Sequence, residues 1–105
     1  MESMVNVRRK LFFYKRRQML LLEDGTVFIM KRGHINNEIR LTPKTQVEQQ
    51  CDNGGACKFL LSNNSTYEYI ECDNKDMLDT WVSMLRKMRK MVADNEMAMK
   101  KSRKM

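Results

Sequence analysis

Apolar positions in the first two-thirds of the chain come in short apolar or alternating runs separated by turn-forming residues. The runs cover residues 4–7, 18–22, 26–30, 38–41, 45–49, 58–61 and 67–70. Asp24-Gly25 and the polar stretch 51–55 are typical hairpin signals, and Pro43 suits the end of a strand. The pattern therefore predicts seven strands in one series, over about residues 3–71.

The period of the apolar residues changes after residue 72. Asp73 or Asn74 can cap the start of a helix, and the bases of residues 86–90 suit its other end, where the helix dipole favours cations. The spacing predicts an amphipathic helix over about residues 74–98, followed by a basic, frayed tail at 99–105. Its apolar residues recur every third or fourth position, at Met77, Leu78, Trp81, Val82, Met84, Leu85, Met88, Met91 and Val92.

Seven strands followed by one helix indicate a single α+β domain over residues 1–98. We expect a seven-stranded antiparallel barrel or sandwich of two near-orthogonal sheets, capped by the one C-terminal amphipathic helix. Trp81 lies on the apolar face of that helix, so we assign it to the core as the plug of the barrel rather than to a ligand. The length of 105 residues is that of one domain.

Charge is distributed unevenly along the chain. The net charge is +7, yet residues 18–85 carry ten acids against six bases. Residues 8–17 carry six bases and no acid, and residues 86–105 carry eight bases and two acids. Two separate basic segments favour a docking face for an anionic surface over a continuous track along nucleic acid, so we expect no nucleic-acid partner.

Few residues in the sequence suggest catalysis or metal binding. His34 is the only histidine, and no two of the three cysteines have the C-x-x-C spacing of zinc and redox sites. No glycine-rich phosphate loop or nucleophile elbow is present. We therefore expect a binding module with no enzyme activity, cofactor or metal. The absence of a secretion signal and of a long apolar run predicts a cytoplasmic protein.

The first basic segment resembles a motif of a known family. Residues 8–21 read Arg-Arg-Lys-Leu-Phe-Phe-Tyr-Lys-Arg-Arg-Gln-Met-Leu-Leu. This resembles the stretch Lys-Arg-Lys-Gly-Leu-Phe-x-Arg-Arg-Arg-Gln-Leu-Leu-Leu in the C-terminal pleckstrin-homology (PH) domain of the phosphoinositide-dependent protein kinases. Residues 37–39, residues 65–69 and Trp81 resemble later positions of that domain. Leu11 and Asn37 stand where the family has glycines, and the loop between the third and fourth strands is shorter.

The resemblance implies a phosphoinositide-binding module that is recruited to the inner face of a membrane. It places Arg8, Lys15 and Arg17 at phosphate-binding positions and favours a 3-phosphorylated head group. Lys15 and Arg17 point the same way because they are two positions apart in a strand, and we expect Arg8 to lie beside them across the hairpin. The full set of expected head-group ligands is Arg8, Arg9, Lys10, Lys15, Arg17, Lys31 and Arg32.

Phe12 and Phe13 lie between the two groups of bases in this segment. If they stand at the tip of the first hairpin, they are candidates for insertion into the membrane interface. The alternative is that they belong to the barrel core, because a long apolar loop tip is an aggregation hazard.

A protein-interaction or scaffolding module of the same fold, without specific lipid binding, is the alternative function. Methionine is common at adaptable interfaces, so a protein partner can be expected on the Met-rich terminal helix. If interaction is the function, charge reversal at Lys15 and Arg17 leaves partner binding intact. The helix methionines are Met77, Met84, Met88, Met91, Met97 and Met99.

Overall fold

Among the residues that the structure describes, seven antiparallel strands precede one C-terminal helix, which confirms the α+β fold predicted from the sequence. The computed structural model describes residues 1–10, 13–51, 57–64 and 66–103, with the side chains of all these except Lys10, Cys51 and residues 96–103. The elements are β1 (Glu2–Lys10), β2 (Phe13–Leu21), β3 (Thr26–Lys31), β4 (His34–Arg40), β5 (Gln46–Cys51), β6 (Cys57–Ser62), β7 (Tyr67–Cys72) and α1 (Lys75–Arg103).

Strand β1 joins the two halves of the barrel. The strands follow the order β4-β3-β2-β1-β7-β6-β5, and each neighbouring pair is antiparallel. β1 pairs with β2 along most of its length and with β7 at Asn6 and Val7. The two sheets that we expected are therefore hydrogen-bonded halves of one seven-stranded sheet.

The core lies between the sheet and the first half of α1. Val5, Val7 and Met19 on β1 and β2 are fully buried, and so is Trp81 on the helix. The Trp81 indole Nε1–H donates a hydrogen bond to Ser3 Oγ at 2.7 Å, so the polar edge of the ring is satisfied inside the barrel. The prediction that Trp81 plugs the barrel is confirmed.

Helix α1 begins at a capped end and is longer than predicted. The Asn74 side-chain oxygen accepts a hydrogen bond from the Met77 backbone N–H at 2.8 Å, so Asn74 is the N-cap. The helix continues to Arg103, beyond the predicted end near residue 98. Residues 93–103 contain no glycine or proline and are rich in helix-favouring alanine, methionine and lysine, which explains the extension.

Two arginines of α1 bind the sheet at strand β5 and at the residue just before it. Arg86 donates a hydrogen bond to the backbone oxygen of Val47 at 3.1 Å, and Arg89 donates one to that of Thr45 at 2.9 Å.

No helix in the described part of the chain is both long and apolar enough to cross a membrane.

In the part of the chain that the structure describes, two tight turns require the left-handed backbone conformation. Between β3 and β4, Arg32 (φ 51°) and Gly33 (φ 79°) both adopt it, as a two-residue type I′ turn demands. The turn is shorter than expected, because His34 already pairs with Lys31 as the first residue of β4. Gly25 in the β2–β3 turn has φ 87°, and a Cβ there would lie 2.9 Å from Val92 Cγ2.

Replacing Gly25 by alanine should destabilise the fold more than replacing Gly33. Both substitutions place a Cβ in the left-handed region, which costs about 1–2 kcal/mol. Only Gly25→Ala also forces Val92 on α1 to move, because nothing lies within 4 Å of a Cβ at Gly33. Urea unfolding of the two variants measures the difference, expected at about 1 kcal/mol. Equal losses of stability in the two variants would show that Val92 on α1 can move aside at no cost.

Candidate functional site

A basic groove lies between strand β2 and the β3–β4 turn. Its volume is about 470 Å³. Five of its nine lining residues are bases and none is an acid, so its wall is strongly electropositive. The bases are Lys15, Arg16, Arg17, Lys31 and Arg32, and the other lining residues are Met4, Gln18, Met30 and Gly33.

The groove exists because β2 is longer than its neighbour β3. The last β2–β3 pair joins Gln18 to Met30, so residues 15–17 extend beyond it alongside the β3–β4 turn. Lys15 and Arg17 share the sheet face that carries the core, because their β1 partners are the buried Val7 and Val5. Residue 16 points to the other face. With β3 ended, both faces of β2 contribute bases to the groove.

Arg8 lies elsewhere, on the outer face of the sheet. It pairs with Tyr14 across the hairpin, whereas Lys15 pairs with Val7, so the expectation that Arg8 lies beside Lys15 and Arg17 is wrong. Its guanidinium carbon stands 3.7 Å from the centroid of the Tyr69 ring, a cation–π contact. The physical reason is the alternation of side chains along β1, in which Val5 and Val7 are buried and Arg8 therefore points to the other face.

Arg9 is held in a polar network at the open end of the barrel. It is the extra residue of a bulge in β1. Its guanidinium donates hydrogen bonds to Asn36 and, at 3.4 Å, to the Glu68 carboxylate. Asn37 donates a second bond to Glu68 at 2.7 Å. Glu68 is only 6% exposed, so this network ties β1, β4 and β7 together, and Arg9 is not among the residues that line the groove.

Among the described residues of the hairpins that border the groove, two large apolar side chains are exposed. Phe13 at the start of β2 is 66% exposed, and Ile35 on β4 is 58% exposed. Ile35 was not predicted, because it follows a turn signal and belongs to no apolar run. The predicted role of Phe12 falls outside the described residues, and of Lys10 only the backbone is described.

Two of the groove bases already form hydrogen bonds or ion pairs within the chain. The Arg16 guanidinium forms a two-bond ion pair with Asp73, at 2.6 and 2.8 Å. Hydrogen bonding from Arg16 holds the pKa of the Asp73 carboxyl below its usual value. Arg17 donates from Nη1 to the backbone oxygen of Arg16 at 2.8 Å, and its buried Nε finds no acceptor among the described residues.

The three remaining groove bases are available to a ligand. Lys15, Lys31 and Arg32 form no hydrogen bond or ion pair through their side chains within the described part of the chain. All three are exposed. Two of them come from the β3–β4 hairpin and one from β2, so they approach the groove from different sides.

The strand order and the terminal helix are those of a pleckstrin-homology fold. The sequence itself matches none of the family models and none of the curated proteins with which it was compared. Solved structures do match. The human PH domain of oxysterol binding protein-related protein 11 superimposes with a TM-score of 0.75 at 10% identity, over 90% of this chain and 83% of that one.

Two further structures support the same fold. The tandem PX-PH domains of Bem3 from Saccharomyces cerevisiae match with a TM-score of 0.68 at 20% identity, and the activated truncation of Vav1 with 0.71 at 13%. The matches cover 80% and 85% of this chain but only 40% and 25% of those chains. Similarity at these identities shows the fold alone, and the resemblance to the kinase-associated PH domain stays a prediction.

Substitution of Glu68 by alanine should loosen the open end of the barrel. It leaves Arg9 and Asn37 without their shared acceptor, at an expected cost of about 2 kcal/mol in the free energy of unfolding. Glu38→Gln, at an exposed position of β4, is the control and should change stability by less than about 0.5 kcal/mol. Urea unfolding compares the two variants. Equal free energies of unfolding for the two variants would show that the hydrogen bonds of Glu68 do not stabilise the barrel.

Proposed function

We propose that the chain is a phosphoinositide-binding module that docks the open end of its barrel on an anionic membrane. The observation that carries the proposal is the convergence of Lys15, Lys31 and Arg32 on one groove that no acid lines. An inositol polyphosphate concentrates several phosphate groups within a few ångströms, and binding it takes several cationic donors that approach from different directions. The groove offers that arrangement.

The magnitude of the electrostatic attraction fits reversible membrane binding. Each base close to an anionic leaflet contributes roughly 1 kcal/mol, so the three bases without partners supply about 3 kcal/mol. That is too little for stable attachment, so specific contacts to a head group have to supply the rest. Arg17 has an Nε–H without an acceptor among the described residues, which a small shift of the side chain would offer to a phosphate oxygen.

Insertion of apolar side chains into the membrane interface would add to the electrostatic attraction. Phe13 and Ile35 are exposed on the two hairpins that flank the groove, so both would reach the interface when the groove faces the bilayer. Full burial of one such side chain is worth about 1.5–3 kcal/mol. The placement of Ile35 makes the docking surface two-sided, whereas the sequence suggested apolar contact from the first hairpin alone.

The finer points of the proposal come from the sequence resemblance. A preference for a 3-phosphorylated head group rests on Lys15 and Arg17, since Arg8 lies on the outer face. We further propose a non-catalytic role, cytoplasmic and at the inner face of a membrane. Arg9, Lys10 and Phe12 stay as predicted contributors from the first hairpin.

A protein-interaction role is the second candidate, and the length of α1 favours it. The helix runs eleven residues beyond Val92, which still packs near Gly25, and Met91 is 47% exposed. A partner that binds this extension would not depend on the groove. Charge reversal at Lys15 and Arg17 would then leave its binding unchanged.

Co-sedimentation with vesicles tests the lipid proposal. Phosphatidylserine vesicles with and without a few per cent of each phosphoinositide are mixed with wild type, with Lys15→Ala/Arg17→Ala and with the control Lys44→Ala/Lys87→Ala at physiological salt. The control removes the same charge at exposed positions outside the groove. We expect selective pelleting with one phosphoinositide, weakened by at least about tenfold only in the groove variant.

Two outcomes would contradict the proposal. If wild type fails to pellet with any vesicle, the groove does not bind membrane lipids. If both double variants lose binding equally, total charge governs association and the groove confers no specificity.

Arg32→Asn separates charge from backbone geometry at the β3–β4 turn. Asparagine tolerates the left-handed conformation better than other residues, so the type I′ turn should persist and the unfolding midpoint should be unchanged or higher. Vesicle binding should fall by roughly fivefold, the equivalent of about 1 kcal/mol for one lost base. Unchanged binding with an unchanged midpoint would exclude Arg32 from the site.

A further inference from the structure

One base of the groove is already bound by a carboxylate of the same chain. Asp73 lies between the end of β7 and the start of α1, and its two oxygens meet the two terminal nitrogens of Arg16 at 2.6 and 2.8 Å. The two contacts are short, charge-assisted hydrogen bonds, so the whole outer edge of the guanidinium is used. Arg16 is the only one of the five groove bases with such a partner among the described residues.

This fork-to-fork geometry is the one in which arginine binds a phosphate. A guanidinium presents two parallel N–H bonds that match two oxygens of either a carboxylate or a phosphate group. Asp73 therefore occupies the donors that a phosphate of the ligand would otherwise take, and it cancels the charge of Arg16 at the rim of the groove.

We propose that Asp73 is a specificity-determining residue, which limits the number of phosphate groups that the groove binds by holding Arg16. The inference rests on the proposed function and refines it. With Arg16 held, a head group finds Lys15, Lys31 and Arg32 without competitors, together with the partly engaged Arg17. A further phosphate has to displace Asp73 before it gains the Arg16 donors.

Because the ion pair is exposed, displacing Asp73 from Arg16 costs little free energy. The Arg16 and Asp73 side chains are 46% and 43% exposed, so solvent screens their attraction. Exposed ion pairs contribute little, and the competition should accordingly change affinity by roughly two- to fivefold. A change of that size adjusts the preference among head groups without abolishing binding.

Titration calorimetry with soluble head groups measures the effect. Inositol bisphosphate and inositol tetrakisphosphate are titrated into wild type, Asp73→Asn and the control Glu23→Gln, an exposed acid in the β2–β3 turn at the other end of the barrel. We expect Asp73→Asn to bind the tetrakisphosphate roughly two- to fivefold more tightly, with a smaller gain for the bisphosphate. Glu23→Gln should behave as wild type. Equal affinities of Asp73→Asn and Glu23→Gln would overturn the inference.

A double-mutant cycle excludes a general charge effect. Arg16→Gln in the wild-type background should cost less affinity than Lys15→Gln, because Arg16 is already neutralised. In the Asp73→Asn background Arg16→Gln should remove the whole gain, which is the signature of a direct pair. If the gain survives without Arg16, Asp73 acts by its charge alone and the inference fails. Urea unfolding confirms that each variant is folded.

Vesicles carrying the matching lipids form the second arm. The gain of Asp73→Asn should appear both with soluble head groups and with phosphoinositide vesicles, and a gain on phosphatidylserine vesicles alone would overturn the inference. Wild type that binds no head group and no vesicle would instead refute the proposed function itself. Wild type that binds, with Asp73→Asn equal to Glu23→Gln, would refute only the role of Asp73.

Discussion

Hydrogen bonding of β1 on both of its sides determines which face of the sheet each base occupies. β1 pairs with β2 at eight positions and with β7 at two, so its register is shared by both halves of the barrel. A slip of one residue would move Val5 and Val7 out of the core and turn Arg8 inward. Burial of two valines therefore fixes the positions of Lys15 and Arg17, which are cross-strand partners of those valines.

Local patterns in the sequence were sufficient for the fold. Turn residues separated the seven strands, the change of period located the helix, and the apolar face of the helix placed Trp81 in the core. The bulge at Arg9 left no such signal, because a bulge is defined by the pairing of two strands rather than by the residues of one. The position of Arg9 was missed for this reason. Arg8 precedes the bulge, and its place on the outer face follows from its alternation with the buried Val5 and Val7.

The candidate site shows the same division between local and long-range information. Lys15 and Arg17 could be placed together because they are two residues apart in one strand. Arg16 and Asp73 are 57 residues apart, and nothing in their neighbouring sequence indicates that they meet. Folding thus brings Asp73, from the net-acidic residues 18–85, against Arg16, from the basic residues 8–17. The number of bases in the sequence therefore overstates the positive charge of the groove.

The arginines of α1 that bond to Val47 in β5 and to Thr45 just before it have a consequence for the behaviour of the protein in solution. β5 is one of the two outermost strands of the sheet, and such strands offer free backbone groups on which another chain can add a strand. The carbonyl groups of Thr45 and Val47 are already occupied by Arg89 and Arg86. The helix thus covers the start of this edge strand with two guanidinium groups, which hinders the addition of another strand there.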